Sequence, residues 1–224
     1  MSNDFSDVLV IIPAFNEESK ISQVITDLQE NGFSKIVVVD DGSSDNTIQI
    51  AESHKVTVLK HIVNIGVGGS TSTGLLYARK HKYQFAITMD ADGQHSINDA
   101  VKIASELKNG SFDVIIGSRL QNMETENKTR FYGNILLDLM TMILSGKYVE
   151  DTQSGLRGFN KKVINIIKPK SSTYEVSSEI IIQAVQNNLK IKTIPIEAIY
   201  TQYSLKKGQK ITNAVRLFRR LVVR

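Results

Sequence analysis

The chain has no cysteine. Neither a disulfide framework nor a thiolate metal site is open to it, and the composition fits a reducing compartment. It also lacks any uninterrupted apolar run of about 18 residues, the length that a membrane-spanning helix needs. The N-terminal MSNDFSDVLVIIPAF carries no basic residue ahead of its short apolar run, so no secretory signal is expected there. No Gly-Lys-Ser/Thr follows a glycine-rich stretch, which excludes a Walker loop. After the first apolar run stand Pro13 and Asn16, where a dinucleotide fingerprint would place glycines.

Acidic residues are missing from one region. Between Leu205 and Arg224 lie Lys206, Lys207, Lys210, Arg216, Arg219, Arg220 and Arg224, with no Asp or Glu. Taking those seven from the 27 bases leaves 20 against 23 acids, so residues 1–204 carry about −3 within a chain of net +4. A nucleic-acid binder spreads positive charge over its folded face, and this chain does not, so nucleic acid is not an expected partner.

The 224 residues are 41% hydrophobic and 22% charged, which suits one globular α/β domain, expected over residues 1–204, with a basic tail over 205–224. Short β-branched runs at Val8–Ile12, Ile36–Asp40, Val56–Lys60, Phe85–Asp90 and Asp113–Ser118 read as strands apolar enough to be buried on both faces. Helical periods at Ser19–Asn31, Asp45–His54, Ser70–Lys82 and Ile97–Asn109 alternate with them. Such alternation predicts a mostly parallel sheet flanked by helices, with ligands bound at the carboxyl ends of the strands.

Those ends hold unusual residues: Pro13-Ala14-Phe15-Asn16-Glu17, Asp40-Asp41-Gly42, Asn64-Ile65-Gly66-Val67-Gly68-Gly69, Asp90-Ala91-Asp92-Gly93-Gln94-His95 and Gly117-Ser118-Arg119. In an extended segment the side chains of Asp90 and Asp92 point the same way and could share a cation. Hard oxygen ligands favour Mg²⁺ or Mn²⁺, with Gln94 offering a third oxygen. The competing reading is an Asp-Gly turn. Asp40 and Asp41 are placed to accept hydrogen bonds from a ribose or base, or else to close an Asx-turn. Gly66, Gly68 and Gly69 suggest close backbone approach to a phosphate or sugar.

PAFNEE, VVDDGSSDNT, NIGVGG, MDADGQH, IGSR and DTQSGLRGF, in this order and spacing, resemble family 2 glycosyltransferases of the GT-A fold, and within them the dolichyl- and undecaprenyl-phosphate sugar transferases. The likeness spans residues 8–200. It implies a nucleotide pocket lined by Pro13, Ala14, Asn16, Glu17, Asp41 and Asp90. The other strand-end residues Asp40, Gly42, Asn64, Gly69, Ala91 and Asp92 extend the expected donor-binding set. It also implies a metal held by Asp90, Asp92 and Gln94, and an acceptor phosphate met by Arg119 and Arg130, whose forked guanidinium suits phosphate. Gln153, Ser154 and Arg157 join the expected acceptor side. Asp151 lies by the reacting carbon as a positioning group, or as the base if the acceptor is a sugar hydroxyl. Glu179 resembles a buried acid on the following helix.

Three departures narrow the expectation. Val67 stands where relatives often carry Lys or Arg. No tryptophan occurs, so the Gln-x-x-Arg-Trp signature of processive polysaccharide synthases is absent. The stretch after Pro195 is closer to bacterial relatives than to mannose synthases, which favours a UDP-sugar over GDP-mannose. In the tail, Ile211, Ala214, Val215, Phe218, Leu221 and Val222 recur at helical spacing beside Arg216, Arg219 and Arg220. A basic amphipathic helix there suits an anionic membrane surface, on the inner, cytoplasmic face where a polyprenyl phosphate is met. The alternative is docking on the domain or on a second subunit of a homo-oligomer.

The expected activity is inverting, metal-dependent transfer of one sugar from a nucleotide diphosphate sugar to a polyprenyl phosphate. Alternatives are transfer to a saccharide hydroxyl in cell-wall or surface polysaccharide synthesis, a sugar nucleotidylyltransferase, or a non-catalytic binding module.

Overall fold

In the computed structural model, which describes residues 4–120 and 128–197, the first strand β1 (Val8–Ala14) sends alternate side chains into two separate cores. Val8, Val10 and Ile12 pack on one face of the sheet, Leu9 and Ile11 on the other. This is why the run reads as continuously apolar: both faces are covered. Helix α1 (Ile21–Glu30) buries Ile21, Val24, Ile25 and Leu28, a single stripe at helical spacing, on the first face. There follow β2 (Lys35–Asp40), α2 (Thr47–Ser53), β3 (Thr57–Lys60), α3 (Val67–Lys80), β4 (Phe85–Thr88), α4 (Ile97–Lys108) and β5 (Val114–Ser118). Then come α5 (Lys128–Ser145), β6 (Arg157–Asn160), α6 (Lys161–Ile166), α7 (Val176–Gln186) and β7 (Ile191–Pro195). Helix α3 lies so close to β1 that a Cβ on Gly74 would sit 2.2 Å from the Ile11 side chain.

The sheet order is β3-β2-β1-β4-β6-β5-β7. From β1 the chain builds outward through β2 and β3, then returns to place β4 on the other side of β1, so the switch point falls between the ends of β1 and β4. The expectation of a mostly parallel sheet holds, with one exception absent from the sequence reading. Strand β6 runs antiparallel to both β4 and β5, with Arg157 opposite Thr88 and Ile116. Because it is reversed, β6 enters the sheet at the edge where β4 and β5 leave it. The segment ahead of it, Asp151–Gly155, is thereby carried to the strand-end edge.

The fourth strand stops at Thr88, not at Asp90 as expected, and Asp90–Gly93 form a turn in which Gly93 has φ +73°. No helix among the described residues is long and apolar enough to cross a membrane. The expected boundary at 204 and the basic tail lie outside the described residues.

Candidate active site

The turn after β4 is tied locally. Asp92 Oδ1 accepts from the Gln94 backbone N–H at 3.0 Å, and the Gln94 side-chain amide donates to Asp92 Oδ2. His95 Nε2 lies 3.2 Å from Asp90 Oδ2, with the imidazole almost fully buried and the Asp90 side chain 43% exposed. The two acids answer differently to this setting. Burial opposes charge on Asp90, but His95, Arg119 and Arg157 outweigh it and hold the carboxyl below its ordinary pKa. For Asp92, burial and the charge on Asp90 push the pKa up. Two carboxylates crowded together in this way would gain from a shared cation. Among the described residues no cluster of three His, Cys, Asp or Glu side chains could hold a metal unaided. A divalent ion here would need oxygens from Gln94 and from a bound diphosphate, which is the usual Mg²⁺ arrangement. The donor set therefore fits Mg²⁺ or Mn²⁺.

Glycine 155 closes this pocket from the other side. A Cβ there would sit 2.0 Å from Asp90 Oδ2, and Thr88 Oγ1 donates to the Gly155 carbonyl at 2.9 Å. Gly155→Ala is accordingly expected to swing the Asp90 carboxylate away, lowering transfer by about tenfold or more and weakening Mn²⁺ binding measured by calorimetry. Unchanged Mn²⁺ affinity and rate would contradict that geometry.

At the ends of β1 and β2, Asn16 adopts φ +54°, which Asn tolerates better than most residues. Its Oδ1 accepts from the Ser44 N–H at 2.9 Å, and its own N–H donates to Ser43 Oγ. Glu17 is buried, its N–H donating to Thr47 Oγ1 at 2.8 Å. These bonds lock the PAFNEE turn onto the loop after β2. The acids of that loop divide their labour. Asp40 Oδ2 accepts from the N–H groups of Gly42 and Ser43, the Asx-turn foreseen as an alternative, while Asp40 Oδ1 is buried without a hydrogen-bond partner. Asp41 was expected to face the ligand. Instead it accepts from the N–H groups of Ile65 and Gly66, at 3.0 and 2.7 Å, and contacts His61 Nδ1 at 2.8 Å, so it braces the loop after β3. The other His61 nitrogen lies 3.0 Å from Thr73 Oγ1, a bridge with no signature in the sequence.

The glycine-rich stretch also departs from expectation. The backbone that it admits is the chain's own. The N–H groups of Gly68 and Gly69 donate to the Ser172 carbonyl, and a Cβ on Gly66 or Gly68 would lie 2.3 or 2.2 Å from the carbonyl oxygens of Ser172 or Ser171. The start of α3 is thus capped internally, and Gly69 is not presented to a phosphate. Asn64 is exposed beside Gly42, whose missing Cβ would lie 3.1 Å from the Asn64 nitrogen. Glu179 anchors the same 170–171 segment, accepting from the N–H groups of Lys170 and Ser171.

Beyond β5 lies a fork of charge. Arg119 donates to Asp151 three times: from its N–H and Nε to Oδ2, both at 2.8 Å, and from Nη2 to Oδ1 at 2.7 Å. Asp151 is fully buried, while the Arg119 side chain remains 19% exposed. Burial opposes the Asp151 charge, but Arg119 overcomes it and holds the carboxyl below the ordinary range. Behind them stands Asp138 of α5, which the sequence reading missed. It accepts from the N–H groups of Asp151 and Thr152 and from Thr152 Oγ1, at 2.9, 2.8 and 2.7 Å. The available signal was a lone acid inside the apolar run Ile135-Leu136-Leu137-Asp138-Leu139-Met140. Glu150 adds a further bond to Ser118 Oγ.

Arg157, expected to meet the acceptor, does something else. It is buried, and its guanidinium donates to the main-chain carbonyls of Ser154, Ser177 and Thr152 at 2.8, 3.1 and 2.7 Å. Burial lowers its pKa to about 10 against the pull of Asp151 and Asp90. It is a staple for the 152–154 turn and a positive charge beneath both acids. Ser154 is fully buried, and Gln153 donates to Ser178 Oγ at 3.0 Å. Arg130 falls in the first turn of α5, and its side chain lies outside the described residues.

Compared with known folds, this architecture is GT-A-like. It superposes on glucosyl-3-phosphoglycerate synthase of Mycobacterium tuberculosis, solved with Mn²⁺ and UDP-glucose, with a TM-score of 0.71 at 17% identity over 96% of this chain and 76% of that one. A family model described as glycosyl transferase family 2 matches residues 9–167, and the chain belongs to that family. Relatives include an uncharacterised protein of Methanocaldococcus jannaschii, 40% identical over 97% of this chain and 91% of its own. The UDP-N-acetylglucosamine–dolichyl-phosphate N-acetylglucosaminyltransferase of Methanococcus voltae is 38% identical over 96% and 95%. The dolichyl-phosphate β-glucosyltransferase of Saccharomyces cerevisiae is 31% identical over 84% and 65%. The protein is a glycosyltransferase.

Proposed function

We propose that this enzyme moves one sugar from a nucleotide diphosphate sugar, a UDP-sugar in preference to GDP-mannose, onto a polyprenyl phosphate, with inversion and with a divalent metal. The observation that carries the acceptor is the outer face of α5. From Phe131 to Ser145 its exposed side chains are Tyr132, Leu136, Leu139 and Ile143, all apolar or aromatic and all on one face. The opposite face presents Asp138 to the Asp151 turn. An apolar surface on the helix whose other face supports the Asp151–Arg119 fork suits an acceptor with an ionised head and a hydrocarbon chain. The activities named for the relatives, dolichyl-phosphate transfer from UDP-N-acetylglucosamine among them, support the same reading.

The chemistry asks little of a base. A lipid phosphate oxygen is already ionised near neutral pH. It attacks the anomeric carbon as the bond to the nucleoside diphosphate breaks, and no proton need move. Arg119 would hold the attacking phosphate, and Asp151 would hold Arg119. Asp90 and Asp92, with Gln94, would hold Mg²⁺ or Mn²⁺, which when bound offsets the charge gathering on the departing diphosphate. Asp40 Oδ1, buried without a partner, would accept from the ribose or base. The saccharide-hydroxyl alternative needs a base, and Asp151, acidified and paired at both oxygens, is poorly suited to that role.

A donor screen with Mn²⁺ and undecaprenyl phosphate, read by mass spectrometry of the lipid, tests the reading. Sugar–phosphate–lipid from one UDP-sugar is the expected product, and transfer only to soluble saccharides would overturn it. Binding to anionic liposomes is expected to need Lys206–Arg224 and to weaken with salt. Equal co-sedimentation after removal of that segment would discard the tail as the tether.

A further inference from the structure

We propose that Asp138 is a positioning residue for transfer: by holding the Asp151 turn from behind, it sets the direction in which the Arg119 guanidinium points. The inference rests on Arg119 as the group that meets the acceptor phosphate. Asp138 is fully buried, and three donors from two consecutive residues converge on its two oxygens. The turn that it grips is an unfavourable one, since Asp151 has φ +49° and most side chains resist that region. Both N–H groups that leave the turn on the inner side are taken by Asp138, while the Asp151 carboxylate on the outer side takes Arg119 through both of its oxygens. The chain of contact is therefore helix, turn, arginine, and each link is bidentate. A fork of this kind transmits orientation, because rotating one member breaks two bonds at once.

The side chain must be a carboxylate for this grip to be complete. Asparagine has one accepting oxygen, so its amide nitrogen would be turned toward an N–H donor on either side. The surroundings make ionisation costly. Burial raises the Asp138 pKa to about 6, against the lowering effect of its three hydrogen bonds, and Asp151 adds repulsion. From the same loop Tyr148 faces it, with its own pKa raised by burial and then by Asp138. Arg157 of β6 supplies the nearby positive charge. From helix α7 the Ser178 hydroxyl accepts from Thr141 of α5. The sign follows. Above pH about 6 the three-acceptor form prevails, and as pH falls through that value a proton occupies one oxygen and the grip on the turn loosens.

The test combines kinetics with a probe that does not depend on turnover. In Asp138→Asn, kcat/KM for a short polyprenyl phosphate is expected to fall about tenfold or more, since small misplacements of a binding group are costly. Affinity for UDP with Mn²⁺ should stay at the wild-type value. Phenylglyoxal labelling of Arg119, followed by mass spectrometry, should rise several-fold. Arg79, which donates to the Ile164 and Ile167 carbonyls far from the turn, should label as in wild type. Both proteins should lose rate as the acceptor phosphate protonates at about pH 6, and wild type should lose more than the variant over the same range. Thr152→Val, which deletes one of the three donors without disturbing the acid, should show a milder form of the same pattern and serves if Asp138→Asn does not fold. Wild-type rate and wild-type Arg119 labelling in the variants would overturn the proposal, as would parallel loss of UDP affinity and of Arg79 protection. If the wild-type enzyme transfers nothing to polyprenyl phosphate, the acceptor reading falls, and Arg119 labelling alone still decides whether Asp138 holds it.

Discussion

Asp92→Asn is expected to lower transfer by at least about a hundredfold while leaving the fold as stable as before, or more so. The metal role assigned to this acid is worth several kcal/mol of transition-state stabilisation, and each tenfold in rate is about 1.4 kcal/mol. The stability expectation comes from its setting. Burial and the neighbouring Asp90 raise the Asp92 pKa above its unfolded value. A raised acid favours the protonated native form, so its stabilising effect is present at low pH and is lost as pH rises. At neutral pH the charge on Asp92 is therefore a liability to the fold, and the amide removes it. Melting in chelator should be equal to wild type or higher. The added stability that Mn²⁺ and UDP confer together on wild type should disappear. Retention of more than about a tenth of the wild-type rate would remove Asp92 from the metal site.

Arg119→Ala should cost more than activity. It removes the partner of a fully buried carboxylate, and breaking a buried pair from one side typically costs about 3–5 kcal/mol. A lowered melting temperature is expected, together with transfer too slow to measure. The second change Asp151→Asn, made in the same chain, should recover much of the lost stability because no buried charge is left uncompensated, yet restore no activity. Arg119→Lys keeps a charge but not the fork, and should fall between the two in stability. If the double variant melts no higher than Arg119→Ala alone, the pair is not what holds this corner together. If it regains activity, Arg119 does not meet the acceptor.

Much of this architecture is legible in the sequence alone. The first five strands and the four helices between them follow from local periodicity, most plainly where a strand such as β1 or β2 is buried on both faces and where α1 presents one apolar stripe. The expectation of two buried faces fails for β3, an edge strand whose Val58 and Leu59 are only partly buried. The residues at their ends arrive at one edge by the geometry of parallel crossovers alone. What local pattern could not supply was the reversal of β6, since the four residues Arg157–Asn160 are too few to signal direction. The acceptor side suffered most from that gap. Arg157 looked like a phosphate ligand because arginine suits phosphate, yet three main-chain carbonyls claim it. The glycines ahead of α3 looked like a ligand cradle, but the backbone that approaches them is Ser171–Thr173, about a hundred residues away in sequence. Close approach was read correctly, and only the approaching group was wrong. Asp138 showed only as a lone acid in an apolar run, because its partners lie across a turn whose shape no periodicity describes.

The reversed strand divides the molecule's labour in a way that its length conceals. Everything proposed for the sugar nucleotide and its metal is encoded ahead of α4, from Pro13 to Gln94. Everything proposed for the incoming phosphate is encoded after it, from Arg119 onward. Beside the metal turn the two halves meet where Thr88 bonds the Gly155 carbonyl and where Gly155 leaves space for the Asp90 carboxylate, and further back where Gly68 and Gly69 bond the Ser172 carbonyl. A lineage could thus reshape what receives the sugar without disturbing what delivers it, so long as the glycines that seat one half against the other, Gly66, Gly68 and Gly155, are kept. The seam between two separately variable halves coincides with the point at which the bond is exchanged.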